Sequence, residues 1–173
     1  MLPSRISDGA AVQPNFIELP EIKIVGLGTN FIASMSPQQN NLTVIPKLWG
    51  EFIARADAIP HRAGHVFFGV VEPLPASAMP RHGEMYYIAC VEVTDFNAVP
   101  AGMIQRTIPA GRYAVFTHKG DIDTLGQTMA HIYGAWLPTS GIKLRSAPTL
   151  ERYDQRFIPN SDQSEFDILL PVP

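Results

Sequence analysis

The sequence predicts an α+β fold in which a strand–helix–strand–strand unit occurs twice. Three observations lead there. Short apolar runs of strand length, bounded by Gly and Pro, recur as "GHVFFGVVE", "EMYYIACVEV" and "SEFDILLPV". Two longer stretches, one in each half, carry apolar residues at steps of three and four. The order of these elements repeats, with echoes in sequence: Leu19-Pro20 with Ile108-Pro109, Trp49 with Trp136, and "YYIACVEV" with "EFDILLPV". Units of this kind pair as antiparallel sheets about a pseudo-two-fold axis, with each helix against its sheet. The cleft between related halves is a natural ligand site.

Taken in order, residues 1–15 mix Ser, Pro and Gly without periodicity and read as a flexible N-terminal arm. The domain is expected over 16–173, with repeats at about 16–97 and 98–173. "NFIELPEIKIVGLGTNF" alternates as a first strand. "LTVIPKLWGEFIARADAI" has helical spacing, and Pro46 fits only a first helical turn, so the regular helix is expected to start there. "GHVFFGVVE", a Pro-rich turn region "PLPASAMPRHG" and the strand "EMYYIACVEV" complete the first unit. "IQRTIPAGRYAVFTHKG" holds one strand, or two around Pro-Ala-Gly. The second helix follows, capped by Asp121 or Asp123, with Ile122, Leu125, Met129, Ile132, Tyr133 and Trp136 on one face. Pro138 and Gly141 should stop it. "PTLERYDQRF" and "SEFDILLPV" are the closing strands.

Composition narrows the function. Of 173 residues, 46% are hydrophobic and 17% charged, which suits a packed core. A net charge of −3 argues against a large phosphate-binding face, so direct nucleic-acid binding is not expected. The lone Cys90 sits in an apolar run and reads as a small buried hydrophobe. The first residues lack a secretory apolar stretch, and no run has membrane-spanning length, so a cytoplasmic protein without membrane contact is expected. The oligomeric state is left open.

Catalytic and metal motifs are weak. His61 and His65 in "HRAGH" are four apart, but Pro60 and Gly64 deny them a helix, so they read as loop histidines. His118 reads as support for the turn before the second helix. Ser140 lacks a nucleophile-elbow context, and "GLGTNF" lacks the third glycine and helix of a dinucleotide site. No catalytic residue, metal or cofactor is therefore assigned.

The C-terminal third carries a more specific pattern: Gly120 … Trp136-Leu137 … Ser140-Gly141 … Glu151-x-Tyr153 … Ile168-x-x-Pro171-Val172. In order and spacing it resembles the GyrI-like effector-binding domain, which also forms the drug-sensing half of multidrug-responsive transcription regulators. "IKIVGL", "LWGEF" and "FFGVVE" extend the likeness more loosely to about residues 16–173. The resemblance implies a duplicated α+β fold whose cavity takes lipophilic, often cationic, small molecules. It also implies an alternative, because some relatives hydrolyse cyclopropane-containing compounds with a Glu and a Tyr in that cavity. The effector-like region leaves no room for a helix-turn-helix domain, a departure from the regulators.

In the family, the glutamate of "E-x-Y" faces the cavity, which implies that role for Glu151. Read from the residues alone, Glu151 fits better a surface strand glutamate paired with Arg152 or Arg145; the resemblance is what moves it into the cavity. A carboxylate in an apolar cleft needs compensation, which a ligand cation supplies; without one its pKa rises. Trp49, Phe68, Tyr86, Tyr87, Tyr133, Trp136 and Tyr153 are the candidate lining, since ring faces attract cations. Adjacent strand residues point oppositely, so only one of Tyr86 and Tyr87 can face the cleft. Glu165 is a second acidic candidate, or a solvated strand-start glutamate. The preferred reading is a receptor for amphipathic, cationic small molecules. A Glu/Tyr hydrolase and a gyrase-inhibitor-like partner-binding regulator are the alternatives.

Overall fold

A computed structural model describes residues 13–33, 36–75 and 83–173. In chain order the elements are β1 (Asn15–Leu19), β2 (Ile22–Ile32), α1 (Asn41–Ile53), β3 (Arg62–Pro73), β4 (Glu84–Val93), β5 (Ile104–Ile108), β6 (Gly111–Lys119), α2 (Leu125–His131), α3 (Leu137–Ser140), β7 (Thr149–Tyr153) and β8 (Glu165–Pro171). The units β2–α1–β3–β4 and β6–α2–α3–β7–β8 are the duplicated pattern. Most of the expected N-terminal arm, and residues 76–82 of the Pro-rich turn, lie outside the described residues.

All eight strands form one antiparallel sheet in the order β1-β6-β8-β7-β3-β4-β2-β5. The expectation of separate sheets is therefore refined to a single one. The two halves meet where β3 pairs β7, from Phe67 opposite Tyr153 to Val71 opposite Thr149. This pairing satisfies two strand edges that would otherwise be open. The outer strands are exchanged: β1 pairs β6 of the second unit, and β5 pairs β2 of the first. Leu19-Pro20 and Ile108-Pro109 stand at the ends of these exchanged strands, where a residue without an N–H is tolerated.

The two faces of the sheet are built differently. On one, α1 sets Leu48 and Phe52 against Val25, Tyr87, Ala89 and Val91. The second helical segment sets Ile132 against Phe116, Phe166 and Ile168. The other face carries a core of strand residues only, including Ile24, Ile88, Leu150 and Leu169, all 0% exposed. Strand residues from both units are buried there with no helix over them among the described residues, and the curl of the sheet brings them together.

Three helix expectations need correction. The first helix begins at Asn41, and Pro46 lies inside it. The missing Pro46 N–H leaves the Leu42 carbonyl without its usual donor. Leu42 is on the solvent side, 71% exposed, so its carbonyl is not left in a dry interior. Pro138 does not stop the second helix. After α2 the backbone widens into a π-turn over Ile132–Trp136, and Pro138 falls in the first turn of α3. Gly141, at φ 71°, ends the helix in a left-handed cap. Ile122, expected on the apolar face, is 37% exposed. It sits in a 3-10 turn whose cap is Asp121, accepting from the Asp123 N–H at 2.9 Å. "IQRTIPAGRYAVFTHKG" is two strands, and β7 ends at Tyr153, where Asp154 turns the chain by accepting from the Arg156 N–H at 3.0 Å. None of the described helices is long and apolar enough to cross a membrane.

Candidate functional site: a buried glutamate at the seam

Alternation along β7 sends Leu150 to the helix-free core and Glu151 and Tyr153 to the helix-bearing face. Glu151 stands at the seam, opposite Gly69 of β3 on one side and Ile168 of β8 on the other. It is 7% exposed. Its Oε2 accepts two phenol hydrogen bonds, from Tyr87 at 2.6 Å and from Tyr153 at 2.9 Å. The Trp49 indole N–H of α1 donates to the Tyr87 hydroxyl at 3.0 Å. Among the described residues, no hydrogen bond reaches Glu151 Oε1.

Gly69 makes this convergence possible. A β-carbon there would stand 2.1 Å from the Tyr87 hydroxyl and 2.6 Å from Glu151 Oε2. The phenol and the carboxylate occupy the space that any other residue at 69 would take.

Burial dominates the electrostatics. It pushes the Glu151 carboxyl above the usual carboxylate range, and the two phenol donors only partly oppose it. Burial, then the nearby carboxylate, pushes the Tyr87 and Tyr153 phenols well up. The Tyr133 phenol is also raised, first by burial and in lesser part by Glu151, against a hydrogen bond with Thr149. Glu151 has no basic partner among the described residues. Arg152 points to the opposite face and pairs with Asp167 at 2.6 Å. Arg145 lies over the Tyr113 ring, 4.8 Å from its centroid.

Trp49 closes the site. Its ring meets Tyr153 edge-on at 5.4 Å, Phe67 at 6.3 Å and Tyr87 at 6.5 Å. Tyr153 in turn stacks on Phe166 at 4.7 Å and meets Phe157 at 4.9 Å. The result is an aromatic box with an acid at its floor and an indole as its cover. Such a box can hold a cation by ring faces and charge.

Of the residues expected to line the cleft, the structure gathers Glu151, Trp49, Tyr87 and Tyr153. Tyr133 lies at the margin, close enough to sense the Glu151 charge. Trp136 packs edge-on against Phe116 at 4.9 Å, within the core under the second helical segment. Phe68 and Tyr86 point to the helix-free face and do not reach Glu151. Phe67 takes the place expected of Phe68. Sequence reasoning missed Phe67, Phe157 and Gly69. Only the glycine left a signal, as an interruption of the apolar run "VFFGVV". Glu165 pairs with Lys119 at 3.2 Å, as a strand-start glutamate does. His118 supports the turn as expected, facing Thr128 at 2.8 Å and the Asp121 carbonyl at 3.1 Å. Among the described residues, no three His, Cys, Asp or Glu side chains cluster so as to hold a metal ion.

A duplicated α+β sheet with an acid and aromatics at its seam is the architecture of a small-molecule-binding domain. The chain belongs to the GyrI-like small molecule binding domain family, which it matches over residues 12–173. It is 31% identical over 158 residues to the transcriptional regulator BrlR of Pseudomonas aeruginosa, covering 90% of this chain and 54% of that protein. It is 32% identical over 109 residues to the probable transcriptional regulator YgiV of Escherichia coli, covering 61% of this chain and 66% of that one. The chain thus spans about half the length of the first relative and just under two thirds of the second. In fold it is similar to SAV2435 bound to tetraphenylphosphonium, with a TM-score of 0.73 at 21% identity over 93% of this chain and 94% of that one. The EcmrR C-terminal domain follows with a TM-score of 0.63 at 20% identity, covering 94% and 98%.

Proposed function

We propose that this chain is a receptor for amphipathic, cationic small molecules, seated over Glu151 in the aromatic box, and acting in the cytoplasm as a sensing or sequestering module. One observation carries the reading: a carboxylate buried at the seam without a basic partner among the described residues, ringed by Trp49, Phe67, Tyr87 and Tyr153. Desolvating a carboxylate costs several kcal/mol, and a ligand cation offsets that cost where no protein cation does. The fold likeness to a protein bound to tetraphenylphosphonium, a lipophilic cation, supports the same ligand class. Trp49 must swing away for a ligand to reach Glu151, at the expense of its hydrogen bond to Tyr87.

A hydrolase is the second reading, favoured by the Tyr87 hydroxyl at 2.6 Å from the carboxylate. It ranks lower because both phenols give their protons to Oε2, leaving neither free to polarise a substrate.

The test is a tryptophan-fluorescence titration with tetraphenylphosphonium and with neutral triphenylphosphine oxide, on wild type and Glu151→Gln. A cation about 5 Å from the carboxylate gains about 3 kcal/mol at an effective dielectric constant of about 20. The cation should therefore bind wild type about a hundredfold more tightly than the variant, and the oxide should not distinguish them. Absence of cation binding, or equal binding by the variant, would refute the receptor reading.

A further inference from the structure

The helix-free face holds a feature that the Glu151 site does not use. A cleft of about 720 Å³ opens there between the ends of β3 and β5 and the segment leading into β7. Pro73, Leu74, Ile108 and Pro148 give it rigid apolar walls, and Tyr86 contributes its ring. Its volume lies in the range of small-molecule sites.

The charges of this cleft do not cancel. Arg106 is neutralised by Glu72 at 3.3 Å. Arg145, which also lines the cleft, has no carboxylate partner among the described residues. Yet Arg145 is firmly held. Its backbone N–H donates to the Pro171 carbonyl at 3.1 Å, and its guanidinium lies over the Tyr113 ring. Gly111 makes room for it, since a β-carbon there would stand 2.6 Å from Nη2. Two of its nitrogens, Nε and Nη2, are buried without an acceptor, as is the Tyr113 hydroxyl beside them. The guanidinium pulls that phenol's pKa down, against a larger rise from burial, but no hydrogen bond of sound geometry joins the two. A cation fixed by stacking and backbone, with no counter-charge among the described residues, is matched by an anion from outside the chain; Nε and Nη2 are packed against Gly111 and Tyr113, so Nη1 is the nitrogen that would meet it.

We propose that this cleft is a second binding site, for a small organic carboxylate whose apolar body lies against the prolines and Tyr86 and whose charge is met by Arg145. The two faces of the seam then select opposite ligands: cations over Glu151, carboxylates beside Arg145. The second site does not depend on the first.

The probe is 1-naphthaleneacetate, with its neutral amide as control. Each is titrated by calorimetry into wild type, Arg145→Met and Glu151→Gln, and the carboxylate is also mapped by NMR shift changes on wild type. The carboxylate should bind wild type and Glu151→Gln alike, and both Arg145→Met and the amide control should lose about tenfold or more in affinity. Shifts should fall on Tyr86, Ile108 and Ala147 and leave the Trp49 indole N–H in place. This wild-type map decides the matter even if Arg145→Met fails to fold. Absence of carboxylate binding, undiminished binding by a folded Arg145→Met, or shifts centred on Trp49 would each overturn the proposal.

Discussion

Replacing Gly69 by alanine tests the packing logic of the buried acid most directly. The new methyl carbon would fall 2.1 Å from the Tyr87 hydroxyl and 2.6 Å from Glu151 Oε2, so both groups must leave. Both are walled in: Tyr87 is 1% exposed and lies under Trp49, and Glu151 is anchored at the seam. Overpacking of this kind costs about 1–3 kcal/mol. Loss of the phenol–carboxylate hydrogen bond adds about 1.5–3 kcal/mol. The better strand behaviour of alanine offsets about 0.5–1 kcal/mol. The net expectation is about 2–5 kcal/mol of destabilisation. For a chain of this size that lowers Tm by roughly 5–15 °C. Gly64 of the same strand is the control, because nothing stands within 4 Å of the β-carbon it would gain. Gly64→Ala should leave Tm within about 2 °C of wild type. The assay is calorimetric melting of wild type and the two variants. Equal melting of Gly69→Ala and wild type would refute the argument that the phenol and carboxylate occupy the space of a side chain.

Glu151 also sets a pH dependence. Its folded pKa is raised, so its contribution to stability is fully present below about pH 4, the usual range of an unfolded carboxyl, and is lost as pH rises through the folded value. Denaturant titrations from pH 4 to pH 8 should show wild type losing stability relative to Glu151→Gln across this window. A parallel pair of curves would contradict the raised pKa. Asp167 has the opposite sign. It accepts from Arg152 and Arg156, each at 2.6 Å, and from Thr117 at 2.7 Å. These donors hold its carboxyl below the usual range despite burial. Its stabilisation is present above about pH 4 and is lost as pH falls through the depressed value. Asp167→Asn should cost about 3–5 kcal/mol near neutral pH and less in acid, by the same titrations. A cost that did not shrink in acid would show that charge is not the cause.

How much of this was legible follows from the range of each signal. Strand signals are local, so apolar runs and alternation placed β2, β4 and β8, whereas Glu151 entered as a cleft residue only through the family's E-x-Y pattern. Alternation fails where both faces are buried. "VFFGVV" is apolar throughout, and nothing in it says that Phe67 rather than Phe68 shares a face with Glu151. The pairing of β3 with β7 joins residues far apart in the chain, and no local pattern encodes it. Pro46 misled because the rule against helix prolines weighs most where the freed carbonyl is buried, and Leu42 is 71% exposed. Tyr133 and Trp136 looked equivalent at the far end of one helical face. The π-turn between them changes the angular step, so Tyr133 sits near Glu151 while Trp136 is committed to Phe116.

The exchanged outer strands have a consequence for how the chain can be divided. β1 precedes the first unit yet completes the second, and β5 precedes the second unit yet completes the first. A cut in the connector before β5 would leave each fragment holding the border that its counterpart lacks. The aromatic box is split in the same way: Trp49, Gly69 and Tyr87 come from one fragment, Glu151 and Tyr153 from the other. The halves are therefore interlocked, like two hands each wearing the other's glove. Neither fragment alone would carry a pocket, and mixing the two would restore sheet and pocket together.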